Sequence, residues 1–233
     1  MIKRLQAFRR TKLYDFLTAF PVVAWFGFCV AQGLPSLTQQ AALAKLFLQT
    51  DPAVLPPSLL LDVAAKAIVI VFQALLAVLF VIRTVPRTFA HGFFSRFAAL
   101  AGAFLGIGIP LLPPQELSAP LHIVSLLLMI GGFAFMMSAA VALGRSISLL
   151  PEARQLVTSG PYALVRHPLY AGEAVAVAGL AMQYVAPWSY VILGLQYAFQ
   201  LRRIVNEERV LRGAFPDYAA YAARTARLIP GVY

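Results

Sequence analysis

Two short stretches gather most of the residues able to do chemistry. The first runs Arg166-His167-Pro168-Leu169-Tyr170-Ala171-Gly172-Glu173, with Gly160-Pro161-Tyr162 just ahead of it. The second runs Arg203-Ile204-Val205-Asn206-Glu207-Glu208, then Arg209 and Arg212, with Phe215, Tyr218 and Tyr221 beyond. Gly160-Pro161 predicts a turn, and Pro168 disfavours helix at His167 while suiting the first turn of the helix that follows. Arg166 and His167 are therefore expected at a helix N-terminus, where free amides and the positive end of the helix dipole can hold a carboxylate. On the second stretch Arg203 and Glu207, like Glu208 and Arg212, stand four apart and can pair along a helix. A polar pocket wall is one outcome; a solvated, self-paired helix face is the other.

The elements that must position these residues are apolar. Hydrophobic residues make up 61% of the 233 and charged residues 12%, and the mean hydropathy is +0.78. This balance is outside that of a water-soluble domain and predicts an all-α, polytopic membrane protein. Runs long enough to cross about 30 Å of hydrocarbon fall near 16–34, 60–82, 95–112 and 120–143. Two shorter runs, 170–185 and 188–201, flank Ala186-Pro187-Trp188-Ser189, which reads as the turn of a helical hairpin with an interfacial Trp. About six transmembrane helices result, with a break after residue 34 and a short helix near Gln40–Gln49.

Charge tests this topology. Seventeen of the nineteen basic residues, all but Lys45 and Lys66, fall before span one, between spans two and three, between four and five, or after span six. These segments share one side, which the positive-inside rule makes cytoplasmic together with both termini. The final hairpin must then bring loop 144–168 and the tail after residue 201 side by side. The chain thus divides into residues 1–143, an N-terminal amphipathic segment with four spans, and residues 144–233, the polar loop, hairpin and C-terminal helices. The two make one integrated membrane domain.

Other classes are disfavoured. The basic residues form no interleaved basic-aromatic surface, so nucleic acid is not expected as a partner; membrane lipids are. Cys29 is the single cysteine, and the three histidines lack ligand spacing, so no metal is expected. No internal repeat supports a transporter of duplicated halves. The basic N-terminus ahead of an apolar run is read as an uncleaved first helix in preference to a leader peptide. Asp62 and Lys66 are expected to pair within span two, and Glu173, one turn inside span five, should face the protein interior.

At Gly160-Pro161-Tyr162, Arg166-His167-Pro168-x-Tyr170-x-Gly172, Glu207-Glu208, Phe215…Tyr218…Tyr221 and Pro230, the chain resembles the isoprenylcysteine carboxyl methyltransferase family and its phospholipid-methyltransferase relatives. The resemblance covers about residues 144–233. It implies S-adenosylmethionine held in a C-terminal cytoplasmic cradle, with S-adenosylhomocysteine as product and a lipophilic acceptor entering from a bacterial inner membrane or its equivalent. The expected cofactor-binding residues are Gly160, Tyr162, Arg166, His167, Pro168, Tyr170, Glu173, Glu207 and Glu208. Glu207, Glu208, Arg203 and Arg212 are the expected catalytic set. A carboxylate suits the cofactor's amino group, cationic or amide donors its carboxylate, and tyrosines its adenine. The acceptor, whether isoprenylcysteine carboxyl, phospholipid amine or small thiol, stays open. Sterol reductases, which use reduced nicotinamide dinucleotide, are similar in His167-Pro168-x-Tyr170-x-Gly172 and in Ile229-Pro230-Gly231-Val232-Tyr233. A non-catalytic scaffold is the third reading.

Overall fold

The computed structural model describes residues 11–89 and 92–231. Lys3, Arg4, Arg9 and Arg10, on which the amphipathic and leader readings rest, lie outside the described residues, as do His91 and Val232-Tyr233. The helices are α1 (Lys12–Thr50), α2 (Leu59–Ile82), α3 (Phe93–Phe104), α4 (Ala119–Leu143), α5 (Pro168–Ala181), α6 (Trp188–Ala214) and α7 (Tyr218–Arg224). The all-α expectation needs one addition, a two-residue antiparallel ladder of β1 (Thr88–Phe89) with β2 (Glu152–Ala153). It fastens together the two connections that leave α2 and α4 at the same end of the bundle.

Helix α1 starts where the Thr11 hydroxyl accepts the Tyr14 amide at 3.2 Å, an N-cap that satisfies one of the orphan donors of the first turn. It then runs for 39 residues with Pro21 and Pro35 inside it. The expected break at Pro35 and the separate helix near Gln40–Gln49 are thus replaced by one helix. Proline removes a single hydrogen bond, whereas unwinding beside lipid would strand several backbone groups. At about 1.5 Å per residue α1 is roughly 58 Å long, so it outreaches a hydrocarbon layer of about 30 Å.

By length and composition four helices can cross a membrane: Lys12–Thr50, Leu59–Ile82, Phe93–Leu111, where α3 continues into a tighter turn, and Ala119–Ser146. The remaining pair is different. α5 is apolar but only 14 residues long, and α6 has 27 residues and turns charged from Arg202 onward. Their hairpin forms as expected. The loop at its tip is secured by Gln115 donating to the Gln183 carbonyl and Val185 donating to that of Pro113, each at 3.0 Å.

Small residues set how closely α5 approaches α4. A methyl group at Gly132 would lie 2.5 Å from the Ala176 backbone nitrogen, and one at Gly179 would lie 2.6 Å from the Ser125 carbonyl oxygen. Such backbone proximity gives helices in lipid the van der Waals contact that hydrophobicity cannot supply there. The principal apolar core lies where α1, α2, α4 and α5 meet, around Ala19, Phe72, Leu76, Phe80, Met136 and Ala140.

The expected Asp62–Lys66 pair does not form. Asp62 instead meets His122 of α4 at 3.0 Å, and Lys66 donates to the Ser36 hydroxyl of α1 at 2.7 Å. Partners on facing helices satisfy both groups and at the same time tie the helices together.

Candidate functional site

The polar end of the bundle is built around the start of α5. His167 caps that helix with non-helical backbone, and Pro168 occupies its first turn. The chain just before it pairs with the C-terminal tail: Val165 bridges Ala226 in parallel, the Arg166 amide donates to the Ala226 carbonyl at 2.8 Å, and the His167 amide to that of Arg227 at 3.0 Å. Amides expected to hold a ligand carboxylate are therefore taken by the tail. The Arg166 side chain fastens the same tail, donating through Nη1 to the carbonyls of Ala222 at 2.6 Å and Thr225 at 2.8 Å.

Glu208 is the hub of this fastening. One of its oxygens accepts from Arg166 Nε at 2.8 Å and the other from Arg227 Nε at 3.2 Å, with His167 Nε2 3.5 Å away. Burial by itself would raise the carboxyl, but His167 and the guanidinium groups of Arg166 and Arg227 outweigh it and hold Glu208 at about 2. The expected pairing of Glu208 with Arg212 along the helix is absent. Arg212 points outward, exposed, with its guanidinium 5.9 Å from the Tyr218 ring centre.

Beside this hub lies a cleft, partly open to solvent and lined by Tyr162, His167, Tyr170, Arg203, Glu207 and Tyr218 among others. Glu207 accepts from the Tyr170 hydroxyl and from Arg203 Nε at 3.0 Å, the one of the predicted helical pairs that forms. Arg203 also donates to the Ser148 carbonyl at 3.3 Å and lies over the Tyr170 ring at 4.8 Å. His167 stacks on the other side of the arrangement, its ring 10° from parallel to Tyr170, with Nδ1 3.9 Å from the second oxygen of Glu207. Two tyrosines close the wall, and the Tyr221 hydroxyl donates to the Tyr162 carbonyl at 2.7 Å. Burial and the nearby Glu207 and Tyr221 push the Tyr162 phenol far above its usual range. Burial pushes that of Tyr221 up to about 12, against the opposing effect of nearby arginines. Both are un-ionised walls at neutral pH.

The structure therefore brings Tyr162, Arg166, His167, Tyr170, Arg203 and Glu207 together on one cleft, with Glu208 and Pro168 directly behind. Gly160 is set back from the cleft and shapes the turn ahead of Tyr162, at φ +61 where a side chain would be strained. Glu173 is elsewhere: its carboxylate accepts from the side-chain amides of Gln196, at 2.8 Å, and Gln200, between α5 and α6. Residues that sequence reasoning passed over also line the cleft, namely Ser146, Ser148, Glu152, Arg154 and Gln155. Arg154 meets Asp15 of α1 at 2.9 Å and Glu152 at 2.7 Å, and Asp15 also accepts from Arg83 Nε at 3.1 Å. Only an unexplained acidic residue at the start of an apolar helix hinted at this second polar cluster.

The same segment carries the decisive likeness. Residues 120–217 match the phospholipid methyltransferase family. That family is related to the isoprenylcysteine carboxyl methyltransferases, and the matched segment runs from α4 to just before α7. Over 76 residues, 32% of the chain, it is 40% identical to a cobalt-zinc-cadmium resistance protein of Cupriavidus metallidurans, covering 35% of that protein. Over 80 residues, 34% of the chain, it is 34% identical to a nickel-cobalt-cadmium resistance protein of Alcaligenes xylosoxydans xylosoxydans, covering 38% of that one. The chain thus spans little more than a third of the curated relatives it matches. Every residue of the Glu207–Glu208 hub except the C-terminal tail falls inside the matched segment.

Proposed function

We propose that this chain is an integral-membrane, S-adenosylmethionine-dependent methyltransferase acting on a lipophilic acceptor. The observation that carries the reading is the set of polar atoms left without partners in the cleft wall. Tyr218 Oη, and Nε and Nη1 of Arg154, are buried and unbonded, and both residues line the cleft. Buried donors without acceptors are costly, and a ligand with several polar groups relieves them.

The residues fit the cofactor in kind. Glu207 keeps one oxygen engaged by Tyr170 and Arg203, which leaves the other, toward His167, for an ammonium group. His167 Nε2 and the Tyr218 hydroxyl can bond further polar groups, and the faces of Tyr162 and Tyr170 provide a slot for an aromatic base. When bound, S-adenosylmethionine supplies a methyl group on a sulfonium centre. The part of the protein is to hold the acceptor in line and exclude water; for an anionic acceptor, charge is neutralised as the methyl moves and a less polar surrounding favours that. Arg203, held over Tyr170, orients an acceptor of opposite charge.

In this reading six spans place both termini and the cleft on the cytoplasmic side of a bacterial inner membrane or its equivalent, and the acceptor arrives laterally from the bilayer. Isoprenylcysteine carboxyl groups, phospholipid amines and small thiols are the acceptor classes compatible with the motif. Calorimetric titration of the purified protein with S-adenosylmethionine and S-adenosylhomocysteine is the test. Micromolar binding is expected, weakened at least tenfold by His167→Ala. Absence of binding by the wild type overturns the proposal, and unchanged binding by the variant removes His167 from the site.

A further inference from the structure

The cleft has a second polar wall, remote in sequence from the Arg166–Glu173 motif. Arg154 follows β2 directly and is fully buried. Its backbone neighbourhood is rigid: Thr88 pairs with Ala153 in the ladder, and the Arg87 amide donates to the Ala153 carbonyl at 2.7 Å. Its guanidinium carries five donors. Nη2 serves both carboxylates, Asp15 at 2.9 Å and Glu152 at 2.7 Å, while Nε and Nη1 have no partner. The charge count around it also favours an anion. Lys12, 3.6 Å from Asp15, Arg83 and Arg154 face only Asp15 and Glu152 within the cluster. One positive charge is left over.

We propose that Arg154 is an anion-recognition residue of the cleft, its Nε and Nη1 donors taking a carboxylate or phosphate oxygen of a bound ligand. The inference rests on the reading of the cleft as a methyltransferase site, where the anion has two sources, an acidic group on the acceptor or the carboxylate of the cofactor. A guanidinium already clamped by two carboxylates presents its remaining donors without further ordering, and charge-assisted bonds of this kind are the strong ones. Ser146, Ser148 and Gln155 line the same part of the cleft. Of these, Ser148 is committed to Glu152 at 2.6 Å, which holds that carboxylate in place as a partner of Arg154.

The test compares wild type, Arg154→Gln and Arg154→Lys in nonionic detergent. The lysine variant keeps a cation for Asp15 and Glu152 but lacks the free guanidinium edge. Titrants are S-adenosylhomocysteine, oleate, lysophosphatidate and, as the uncharged control, oleyl alcohol. If the anion belongs to the acceptor, both variants lose tenfold or more in affinity for oleate or lysophosphatidate, while S-adenosylhomocysteine and oleyl alcohol bind as before. If it belongs to the cofactor, the loss appears with S-adenosylhomocysteine alone. In wild type, the anion that binds should shift the Arg154 Nε–H resonance in a nitrogen-15 NMR spectrum while oleyl alcohol leaves it in place, a measurement independent of whether the variants fold. Equal affinities across all three proteins, equal loss for oleyl alcohol, or no shift from any of the anions overturns the assignment. Failure of the wild type to bind S-adenosylhomocysteine, with anion binding and the resonance shift intact, overturns the methyltransferase reading and leaves the anion site standing.

Discussion

Replacing Glu208 by Gln should release the C-terminal tail from the cleft while leaving the helical bundle folded. The Glu208 carboxylate is 3% exposed and bonds Arg166 and Arg227. Removing one partner of a buried pair costs about 3–5 kcal/mol. Here Arg166 keeps its two carbonyl acceptors, and the Arg227 side chain is 31% exposed, so water takes up part of the loss and about 2–3 kcal/mol is expected. The acid side gives a second measure. A carboxyl held at about 2 instead of 4.5 contributes at most about 3 kcal/mol at roughly 1.4 kcal/mol per pH unit. Because the folded-state value is the lower one, this stabilisation is complete above about pH 4.5 and is lost as the pH falls toward 2. Hydrogen exchange reports it locally, since the amides of Arg166 and His167 donate to tail carbonyls. At neutral pH the variant should exchange these two amides roughly 30- to 150-fold faster than wild type, with amides of α2 and α4 unaffected. The difference should shrink between pH 4.5 and 2. Exchange within threefold of wild type at pH 7 would refute the role assigned to Glu208.

Three further outcomes follow from the packing and the charges. Gly132→Leu should lower the thermal midpoint in detergent by an amount equivalent to at least about 3 kcal/mol, because even its first side-chain atom meets α5 backbone at 2.5 Å; unaltered melting would contradict the close α4–α5 contact. Asp15→Asn leaves Arg83 and Arg154 short of their shared carboxylate and should cost about 3–5 kcal/mol by the same melting assay. Tyr170→Phe deletes the hydroxyl that bonds Glu207 but keeps the ring that contacts His167 and Arg203. It should weaken S-adenosylhomocysteine binding about fivefold, near 1 kcal/mol, as read by calorimetry.

What could be read from the sequence divides by the range of the interaction. The His167-Pro168 start of α5 and the Arg203–Glu207 pair are local, set by backbone restriction and by a spacing of four along a helix, and both are found. Glu208 and Asp62 show where the same reasoning stops. Each has a basic residue four positions on, yet each bonds across to another element, because tertiary packing offers a better-placed or more buried partner. The Asp15 cluster joins residues 68 and 139 positions apart, and no periodicity encodes such a meeting. Nor could the sequence show that α1 passes through Pro35 unbroken, since that depends on what surrounds the helix.

These long-range pairs also explain why the segment 120–217, which begins at α4, needs helices outside it. Arg154 is charged, buried and part of the cleft wall, and beside Glu152 it is compensated by Asp15 on α1, which Arg83 at the end of α2 holds in turn. On the other side, Arg166 and Glu208 are compensated by α7 and the tail beyond it, through Arg227 and the carbonyls of Ala222 and Thr225. An isolated segment 120–217 would expose or strand these charges, and a stranded buried charge costs more than most single contacts return. The cleft should therefore assemble only when α1, α2 and the tail have docked, which couples ligand binding to the integrity of the whole bundle. A saturating ligand should raise the thermal midpoint of the full chain. It should do so far less in Asp15→Asn, where one wall of the cleft has lost its anchor.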